Sequence, residues 1–278
     1  MSRFPVFELS PSDPRFVLLN DELPLWSAPF GFKLLDIIRL RPHLNVLDIG
    51  PGTGFPLLEV AQMLGASSRV YGLDPWAAAL DRVRQKIEIL GFSNVSLHEG
   101  RAEKQPFEDA FFDLIISNNG INNVGDMRKV FEECFRVAKP GAQFVFTMNT
   151  EETMIEFYGV FQKILKEKGL IDAVQRMKEH IHEKRKPLFE VQRLVLDAGF
   201  EVSRVLPDSF RFRYLDGTAM FGHFMIRSSF LGPWKSVVPP DRVEEVFTAL
   251  ENCLNELARG RGEIALTIPF VAIDCRKN

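Results

Sequence analysis

Hydrophobic residues in the first 150 positions form short aliphatic runs separated by stretches in which apolar positions recur every three or four residues. Continuous apolar runs of this length are typical of parallel strands buried on both faces, and the intervening spacing is helical. The predicted strands are Val46–Ile49, Arg69–Asp74, Val95–His98, Phe112–Ser117 and Gln143–Met148. Strands that alternate with helices predict an α/β fold with a mostly parallel sheet and helices on both faces.

The second half of the chain is less regular. Helical spacing runs through Met154 to Met177, Phe200–Val205 is predicted as a sixth strand, and Glu263–Ile273 suits an antiparallel seventh strand. The segment between these two strands is too long for a structureless loop. It contains Phe210–Tyr214, with strand-like alternation, followed by two predicted helices, which are Thr218–Phe230 and Asp241–Ala258.

Three regions follow from this pattern. Residues 1–24 carry four prolines without periodicity and predict an irregular arm. Residues 25–150 form the strand–helix core, which opens with a helix from Leu25 to Leu40. Residues 151–278 are interpreted as cap helices and an insertion that cover a substrate, together with the last two strands of the sheet. Trp26 and Phe30, in the opening helix, belong either to a lid or to the core.

Composition narrows the class of protein without identifying it. The chain has a net charge of −3, 46% hydrophobic residues and 26% charged residues, which are ordinary values for a globular protein. No basic footprint indicates nucleic acid, and no apolar run is long enough for a membrane span. The 25 phenylalanines, against 3 tyrosines and 3 tryptophans, indicate either a Phe-rich core or a pocket for an apolar substrate.

The three cysteines, Cys134, Cys253 and Cys275, have no spacing typical of metal ligands. We expect reduced thiols and no metal site. The N-terminus lacks a basic stretch followed by an apolar segment, so no signal peptide is predicted and a cytoplasmic location is expected.

A glycine-rich turn follows the first strand. Gly50, Gly52 and Gly54 give the spacing G-x-G-x-G, preceded by Asp48, whereas dinucleotide-binding turns favour G-x-G-x-x-G. Pro56 removes an N–H from the first turn of the following helix, where a phosphate would need donors. The turn therefore predicts a nucleotide-like ligand without a pyrophosphate.

Asp74 ends the second strand about 20 residues beyond this turn. A carboxylate at that position is suited to accept both hydroxyls of a ribose. The alternative is a strand-end aspartate that caps the next helix. Trp76, two residues later, is suited to stack on a purine.

Four stretches together resemble the class I S-adenosylmethionine-dependent methyltransferases. They are the glycine turn, the segment Gly100–Phe107 (Gly-Arg-Ala-Glu-Lys-Gln-Pro-Phe), Arg136–Ala142 (Arg-Val-Ala-Lys-Pro-Gly-Ala), and Asp197–Val202 (Asp-Ala-Gly-Phe-Glu-Val). The overall pattern looks most like the small-molecule branch related to quinone biosynthesis. This resemblance implies a Rossmann-like sheet of seven strands, S-adenosylmethionine as cofactor, and a small, partly apolar methyl acceptor.

The resemblance also implies which residues contact the cofactor. Those expected to contact the cofactor are Asp48, Gly50, Pro51, Gly52, Asp74, Pro75, Trp76, Arg101, Ala102, Glu103, Asn118 and Asn119. Position in the chain, and not the resemblance, gives the residues expected near the acceptor, which are Asn122 and Asn123 in the loop after the fourth strand and Arg211, Arg213, His223 and Arg227 in the predicted cap. Arg101 departs from the pattern, because the family usually has an aspartate there to accept from the adenine amino group and arginine cannot accept.

No catalytic residue is assigned, because proximity and orientation supply much of the acceleration in methyl transfer. The asparagines of the 118–123 loop have an alternative role, which is to satisfy the turns of their own loop. Two other functions remain open at this stage. One is a non-catalytic protein that uses the cofactor pocket as a sensor or partner surface, and the other is a nicotinamide-dependent oxidoreductase.

Overall fold

The computed structural model describes residues 3–22 and 26–278 and contains one seven-stranded sheet. The strands are β1 (Asn45–Ile49), β2 (Arg69–Asp74), β3 (Val95–Glu99), β4 (Phe112–Asn118), β5 (Ala138–Asn149), β6 (Glu201–Tyr214) and β7 (Ile264–Arg276). Their order is β3-β2-β1-β4-β5-β7-β6, with β1 to β5 paired in parallel and β7 antiparallel to β5. The predicted fold class is confirmed, including the antiparallel strand.

Eleven α-helices occur among the described residues. They are α1 (Pro14–Glu22), α2 (Ser27–Ile37), α3 (Leu57–Leu64), α4 (Ala77–Leu90), α5 (Met127–Val137), α6 (Ile155–Glu167), α7 (Ile171–Lys184), α8 (Leu188–Asp197), α9 (Gly217–Gly222), α10 (Leu231–Ser236) and α11 (Val243–Arg261). A π-helical segment, Ile226–Phe230, precedes α10. Gly65 and Gly91 follow α3 and α4 with positive φ and end these helices, as predicted.

Side chains of the strands point alternately to the two faces of the sheet, and helices pack on both faces. Val46 packs in a cluster that contains residues of α2, α3 and α4, whereas its neighbour Leu47 packs in a cluster that contains residues of α5 and α8. Successive side chains of a strand point to opposite faces, so these two clusters are the two cores of a three-layer arrangement. The carboxyl ends of β1, β2 and β4 are therefore fixed between two buried layers.

The chain divides into two compact units. We call the larger one the sheet unit; it comprises Leu9–Asn149, Pro187–Asp208 and Phe270–Asn278. The smaller, α-rich unit comprises Met1–Glu8, Thr150–Lys186 and Ser209–Pro269, so that β6 and β7 supply residues to both.

The α-rich unit has an aromatic core of its own. Phe157 stacks on Trp234 with ring centroids 4.0 Å apart, and Phe161 and Phe247 are fully buried beside them. Phe4 packs edge-on against Phe221 at 5.2 Å. Many of the 25 phenylalanines are thus core residues of one unit or the other.

Three sequence predictions differ from the structure. The arm predicted as irregular contains α1, which begins at Pro14, a residue that the first turn of a helix accepts because it needs no N–H there. Phe210–Tyr214 is the end of β6 and not a separate strand. The helix predicted over Thr218–Phe230 is interrupted at His223, where the backbone is extended. The predicted helix start at Leu25 lies outside the described residues.

Across the described ranges, no helix combines the length and apolar character that crossing a bilayer requires.

Candidate functional site

A cavity of about 340 Å³ opens where β1, β2 and β4 end and where the chain leaves β3. Its walls come from four loops at one edge of the sheet, the position at which open parallel sheets bind ligands. The lining residues are Ile49, Gly50, Gly52, Leu73, Asp74, Pro75, Trp76, Arg101, Ala102, Glu103, Gly120, Asn123, Val124 and Gly125. The cavity lies within the sheet unit.

The glycine turn forms one wall of this cavity. Gly52 has φ +54°, in the left-handed region, and a β-carbon built there would meet no atom within 4 Å. The side facing the cavity is therefore open backbone, which allows a ligand to approach closely. The Gly50 N–H donates to the carbonyl of Leu73 at 2.9 Å, so the turn is also fastened to the end of β2.

Asp74 connects the ends of β1 and β2. One carboxylate oxygen accepts the Gly52 N–H at 2.9 Å and the other accepts the Trp76 N–H at 2.8 Å. The residue is only 6% exposed, and burial raises the pKa of the Asp74 carboxyl while these two hydrogen bonds oppose the rise. Each oxygen keeps a second lone pair, so the carboxylate can still accept from hydroxyl groups in the cavity.

Asp48 lies next to this wall, on β1, and is fully buried. The Leu57 N–H faces the carboxylate, but neither oxygen accepts a hydrogen bond of ordinary geometry. Burial raises the pKa of Asp48 well above its ordinary value, and repulsion from Asp74 adds to the rise. A buried carboxyl group with so little hydrogen bonding is costly, and a cationic group beside it would offset part of that cost.

Glu103 joins two of the loops. Its carboxylate accepts the N–H of Gly125 at 2.8 Å and that of Asp126 at 3.2 Å, so the segment after β3 is held against the segment after β4. Of its neighbours, Arg101 is exposed and Ala102 is buried. Arg101 thus lines the cavity from its rim.

The N-terminal arm is fastened to the rim at Trp76. The indole N–H of Trp76 donates to the carbonyl of Pro11 at 2.8 Å, and the Phe16 ring packs at 6.2 Å from the indole. Lys86 on α4 bonds the carboxylate of Asp21 in α1 and donates to the Thr53 carbonyl at 2.9 Å. This lysine thereby links α1 to the glycine turn.

Most asparagines of the loop after β4 bond within the loop or to nearby backbone. Asn118 donates to the Ser27 carbonyl at 3.0 Å, and the Asn119 side chain accepts the Asn149 N–H at 3.1 Å. Asn122 donates to Asn119 and to Asn149. Asn123 donates to the Asn119 carbonyl at 3.4 Å and also lines the cavity, and its contact with the acceptor stays a prediction. Asp48, Pro51, Asn118 and Asn119 are not part of its wall, and their contact with a ligand stays a prediction.

The residues predicted for the acceptor in the second half all lie in the α-rich unit. Arg211 lines a separate cavity of about 750 Å³ formed by α6, α11, β6 and β7. Arg213 forms an ion pair with Glu263, and Arg227 donates to the Pro5 carbonyl at 2.9 Å. His223 packs edge-on against Tyr214 at 5.4 Å, and its Nδ1 is buried without a hydrogen-bond partner.

Five residues of the cavity wall were not predicted from the sequence. The residues concerned are Ile49, Leu73, Gly120, Val124 and Gly125. Gly120 is the most constrained, because a β-carbon there would lie 2.8 Å from both the Ile49 carbonyl oxygen and the Ser117 hydroxyl. The signal for it was a glycine inside a polar loop directly after a buried strand.

Comparison with known proteins agrees with this geometry. Residues 40–194 match a family described as a methyltransferase domain. The demethylmenaquinone methyltransferase of Bacillus cytotoxicus is 31% identical over 211 residues, which cover 70% of this chain and 89% of the relative.

Solved structures show the same fold. An S-adenosylmethionine-dependent methyltransferase from Aquifex aeolicus aligns with a TM-score of 0.53 and 25% identity, over 70% of this chain and 92% of that one. A phosphoethanolamine N-methyltransferase from Haemonchus contortus, in complex with phosphomonomethylethanolamine and S-adenosylhomocysteine, aligns with a TM-score of 0.58 and 14% identity. That alignment covers 95% of this chain and 58% of that one.

The glycine turn, the carboxylate at the end of β2 and the sheet order thus occur in a sequence that matches methyltransferases over more than half its length. The chain belongs to the class I S-adenosylmethionine-dependent methyltransferases and is similar to those that act on quinones.

Proposed function

We propose that the cavity at the ends of β1, β2 and β4 binds S-adenosylmethionine and that the methyl group is transferred to an apolar, quinone-type acceptor. The observation that carries the acceptor class is the 31% identity to a demethylmenaquinone methyltransferase, which extends over 89% of that relative. The methyltransferase activity itself follows from the family.

The cavity fits the nucleoside part of this cofactor. Its volume of about 340 Å³ lies within the usual range for small-molecule pockets, roughly 300–1,000 Å³. Asp74 has a free lone pair on each oxygen for the two ribose hydroxyls, and Trp76 offers an aromatic face for the base. In this proposal the backbone N–H of Ala102, which lines the cavity, donates to the adenine ring, while Arg101 does not supply an acceptor for the adenine amino group.

The negative charge of the site also suits the cationic groups of S-adenosylmethionine. S-adenosylmethionine carries an ammonium group and a sulfonium centre, whereas Asp48 and Asp74 are two buried carboxyl groups close enough to raise the pKa of Asp48. A cation placed near them offsets their repulsion and favours the ionised form of both. A positively charged ligand beside Asp48 and Asp74 would therefore offset part of the cost of burying these two carboxyl groups.

The chain's own contribution to transfer is orientation. The cofactor supplies an electrophilic methyl group that an acceptor nucleophile attacks in line. The Gly50 N–H bonds the Leu73 carbonyl at the end of β2 and the Gly52 N–H bonds Asp74, so the protein's own hydrogen bonds hold this wall of the cavity in place. Holding two reactants in line accounts for a large part of the acceleration, and no protein base is required for that part.

The fold by itself leaves the acceptor open. The Haemonchus structure holds phosphomonomethylethanolamine, a small polar molecule, on the same fold. The acceptor class proposed here therefore rests on sequence identity. Contact of Asn122, Arg211, Arg213, His223 or Arg227 with the acceptor remains a proposal. The sensor and oxidoreductase alternatives are not favoured by the relatives, which are named as methyltransferases.

The test is an assay of methyl transfer from S-adenosylmethionine to a reduced, short-chain demethylmenaquinone, with S-adenosylhomocysteine measured by mass spectrometry. We expect product with this acceptor and none with the corresponding menaquinone, whose ring position is already methylated. Asp74→Ala should lower the rate at limiting cofactor. If the cofactor binds but demethylmenaquinone is methylated neither in its reduced nor in its oxidised form, the acceptor class is wrong and the family assignment stands.

A further inference from the structure

The cavity of about 750 Å³ formed by α6, α11, β6 and β7 lies entirely within the α-rich unit, and we call it the α6–α11 groove. Its wall is largely apolar, and the apolar residues are Ile155, Val160, Leu254, Leu257, Ile264, Ala265 and Leu266. Leu254, Ile264 and Leu266 are buried, whereas Ile155 on α6 remains 56% exposed. The volume and the lining are those of a small-molecule pocket, in which an apolar body would be sheltered from water.

Gly159 leaves part of this groove open. It lies in the interior of α6, where a glycine costs about 1 kcal/mol relative to alanine. A β-carbon built there would meet no atom within 4 Å, so no close packing requires a glycine at this position. The effect of the missing side chain is free volume in the groove, and also in a smaller cavity of about 450 Å³ between α6 and α7.

Three arginines lie around a single carboxylate of the groove. Both oxygens of Glu263 accept from Nε of Arg213 at 2.9 Å. These hydrogen bonds lower the pKa of Glu263, and the charge of Arg211, next but one to Arg213 on β6, adds to the lowering. Arg261 precedes Glu263 by two residues, a reach of about 7 Å along the chain. Arg211 and Arg261 line the groove, whereas Arg213 does not.

The two arginines that line the groove are not neutralised by the protein. Neither Arg211 nor Arg261 forms an ion pair with a carboxylate of residues 3–21 or 26–278, and both are exposed. The other acid of the wall, Glu156, accepts the N–H of Thr267 at 3.0 Å with one oxygen and the Thr267 hydroxyl with the other. Guanidinium donors are therefore free for an anion beside an apolar wall.

Unpaired guanidinium groups beside apolar surface are complementary to an alkyl chain that ends in an anion. We propose that the α6–α11 groove binds a free, single-chain carboxylate, with the alkyl chain against the apolar wall and the carboxylate paired with Arg211 and Arg261. All residues of the groove belong to the α-rich unit, so the proposal does not rest on the proposed function and the ligand need not be the methyl acceptor. The chain then has a second ligand site, apart from the cofactor cavity of the sheet unit.

The test compares octanoate with octanamide, which has the same chain and no charge, by calorimetric titration of the protein. The wild type should bind octanoate at least about 10-fold more tightly, as expected for charge-assisted hydrogen bonds. Arg211→Met combined with Arg261→Met should abolish that preference and leave the affinity for octanamide unchanged. Arg259→Met is the matched control, because it removes the same charge from an exposed residue of α11 that does not line the groove. It should keep the preference, and a loss there would show a general effect of charge and overturn the proposal.

Gly159→Leu tests the apolar part of the groove. The added side chain should prevent binding of both probes, and the melting temperature should not fall, because leucine is a better helix former than glycine. Gly260→Leu, at an exposed position of α11 with no atom within 4 Å of a built β-carbon, is its control and should bind like the wild type. Since Gly159 also lines the smaller cavity, the arginine variants decide which of the two holds the ligand.

Three other results would overturn the proposal. They are equal binding of the two probes by the wild type, binding of neither, and a preference for octanoate that survives in the double arginine variant. If neither probe binds but the protein sediments with phosphatidylglycerol vesicles, an anionic membrane surface is the ligand and the proposal is equally wrong. No methyl transfer is involved, so failure of the quinol assay and failure of this proposal are distinguishable.

Discussion

A carboxylate oxygen of Asp74 accepts the backbone N–H of Gly52 at 2.9 Å, so the end of the second strand holds the turn that follows the first. One side chain therefore shapes the cavity wall and offers lone pairs to a ligand at the same time. A substitution of Asp74 should therefore alter the position of the Gly52 turn, and a substitution of Gly52 should alter the position of the Asp74 carboxylate.

Asp74→Asn should weaken binding of S-adenosylmethionine by about 10- to 100-fold, because a charge-assisted acceptor becomes a neutral one. Calorimetric titration of the two proteins measures this. Asp81→Asn, at an exposed position on α4, is the control and should bind like the wild type. An unchanged dissociation constant in a folded Asp74→Asn protein would remove Asp74 from the cofactor site.

Gly52→Ala and Gly141→Ala form a second pair. Both glycines have positive φ (+54° and +79°) with no atom within 4 Å of a built β-carbon, so each substitution should cost about 1–2 kcal/mol of backbone strain. Only Gly52 lines the cavity. Urea unfolding should show similar losses of stability, while cofactor affinity should fall in Gly52→Ala alone. A parallel loss of affinity in Gly141→Ala would point to general destabilisation.

Asp48→Asn should have opposite effects on stability and binding. A carboxyl group whose pKa is raised in the folded protein stabilises it at low pH, and that contribution is lost as the pH rises from the unfolded value, near 3.8, through the folded one. At neutral pH the cofactor-free Asp48→Asn protein should therefore melt at a higher temperature than the wild type. Its affinity for the cationic cofactor should be lower. A lower melting temperature would contradict the account of Asp48 as an uncompensated buried acid.

The pattern of core residues was sufficient to predict the five parallel strands, the seventh strand and the place of the glycine turn. These depend on local spacing and on turns that only glycine allows. Sequence did not reveal that Asn118 bonds the Ser27 carbonyl, because this contact joins two distant segments of the chain. The continuity of β6 through Pro207 was also missed, since a proline usually interrupts a central strand. β6 is at the edge of the sheet, where proline is tolerated.

Arg136 on α5 should be sensitive to conservative replacement. Its guanidinium donates to both oxygens of Glu133, at 2.7 and 2.8 Å, and to the Phe107 and Gln105 carbonyls, at 2.8 and 3.1 Å. Lysine cannot reproduce this planar set of donors, so Arg136→Lys should lower the free energy of unfolding by roughly 1–3 kcal/mol. Arg128→Lys, in an exposed ion pair on the same helix, should change it little.

The ion pair between Arg136 and Glu133 should also make the stability of the protein depend on pH in the acidic range. Hydrogen bonding from Arg136 lowers the pKa of Glu133, so its contribution to stability is present above about pH 4.5 and is lost as the pH falls through the lower, folded value. Unfolding measured between pH 7 and pH 3 should show a steeper loss in the wild type than in Glu133→Gln. Identical slopes would mean that Glu133 titrates alike in both states.

Two buried cysteines make it possible to follow unfolding of the sheet unit by the rate at which their thiols are alkylated. Cys134 and Cys275 are fully buried in one core cluster, and burial raises the pKa of the Cys134 thiol to about 12, whereas Cys253 is partly exposed on α11. A thiol reacts as its thiolate, so alkylation at the buried pair must wait for the sheet to unfold. Peptide mapping of labelling over time would then separate the slow global unfolding rate from fast surface reaction in a single sample, and a ligand bound to the sheet unit would slow only the buried sites.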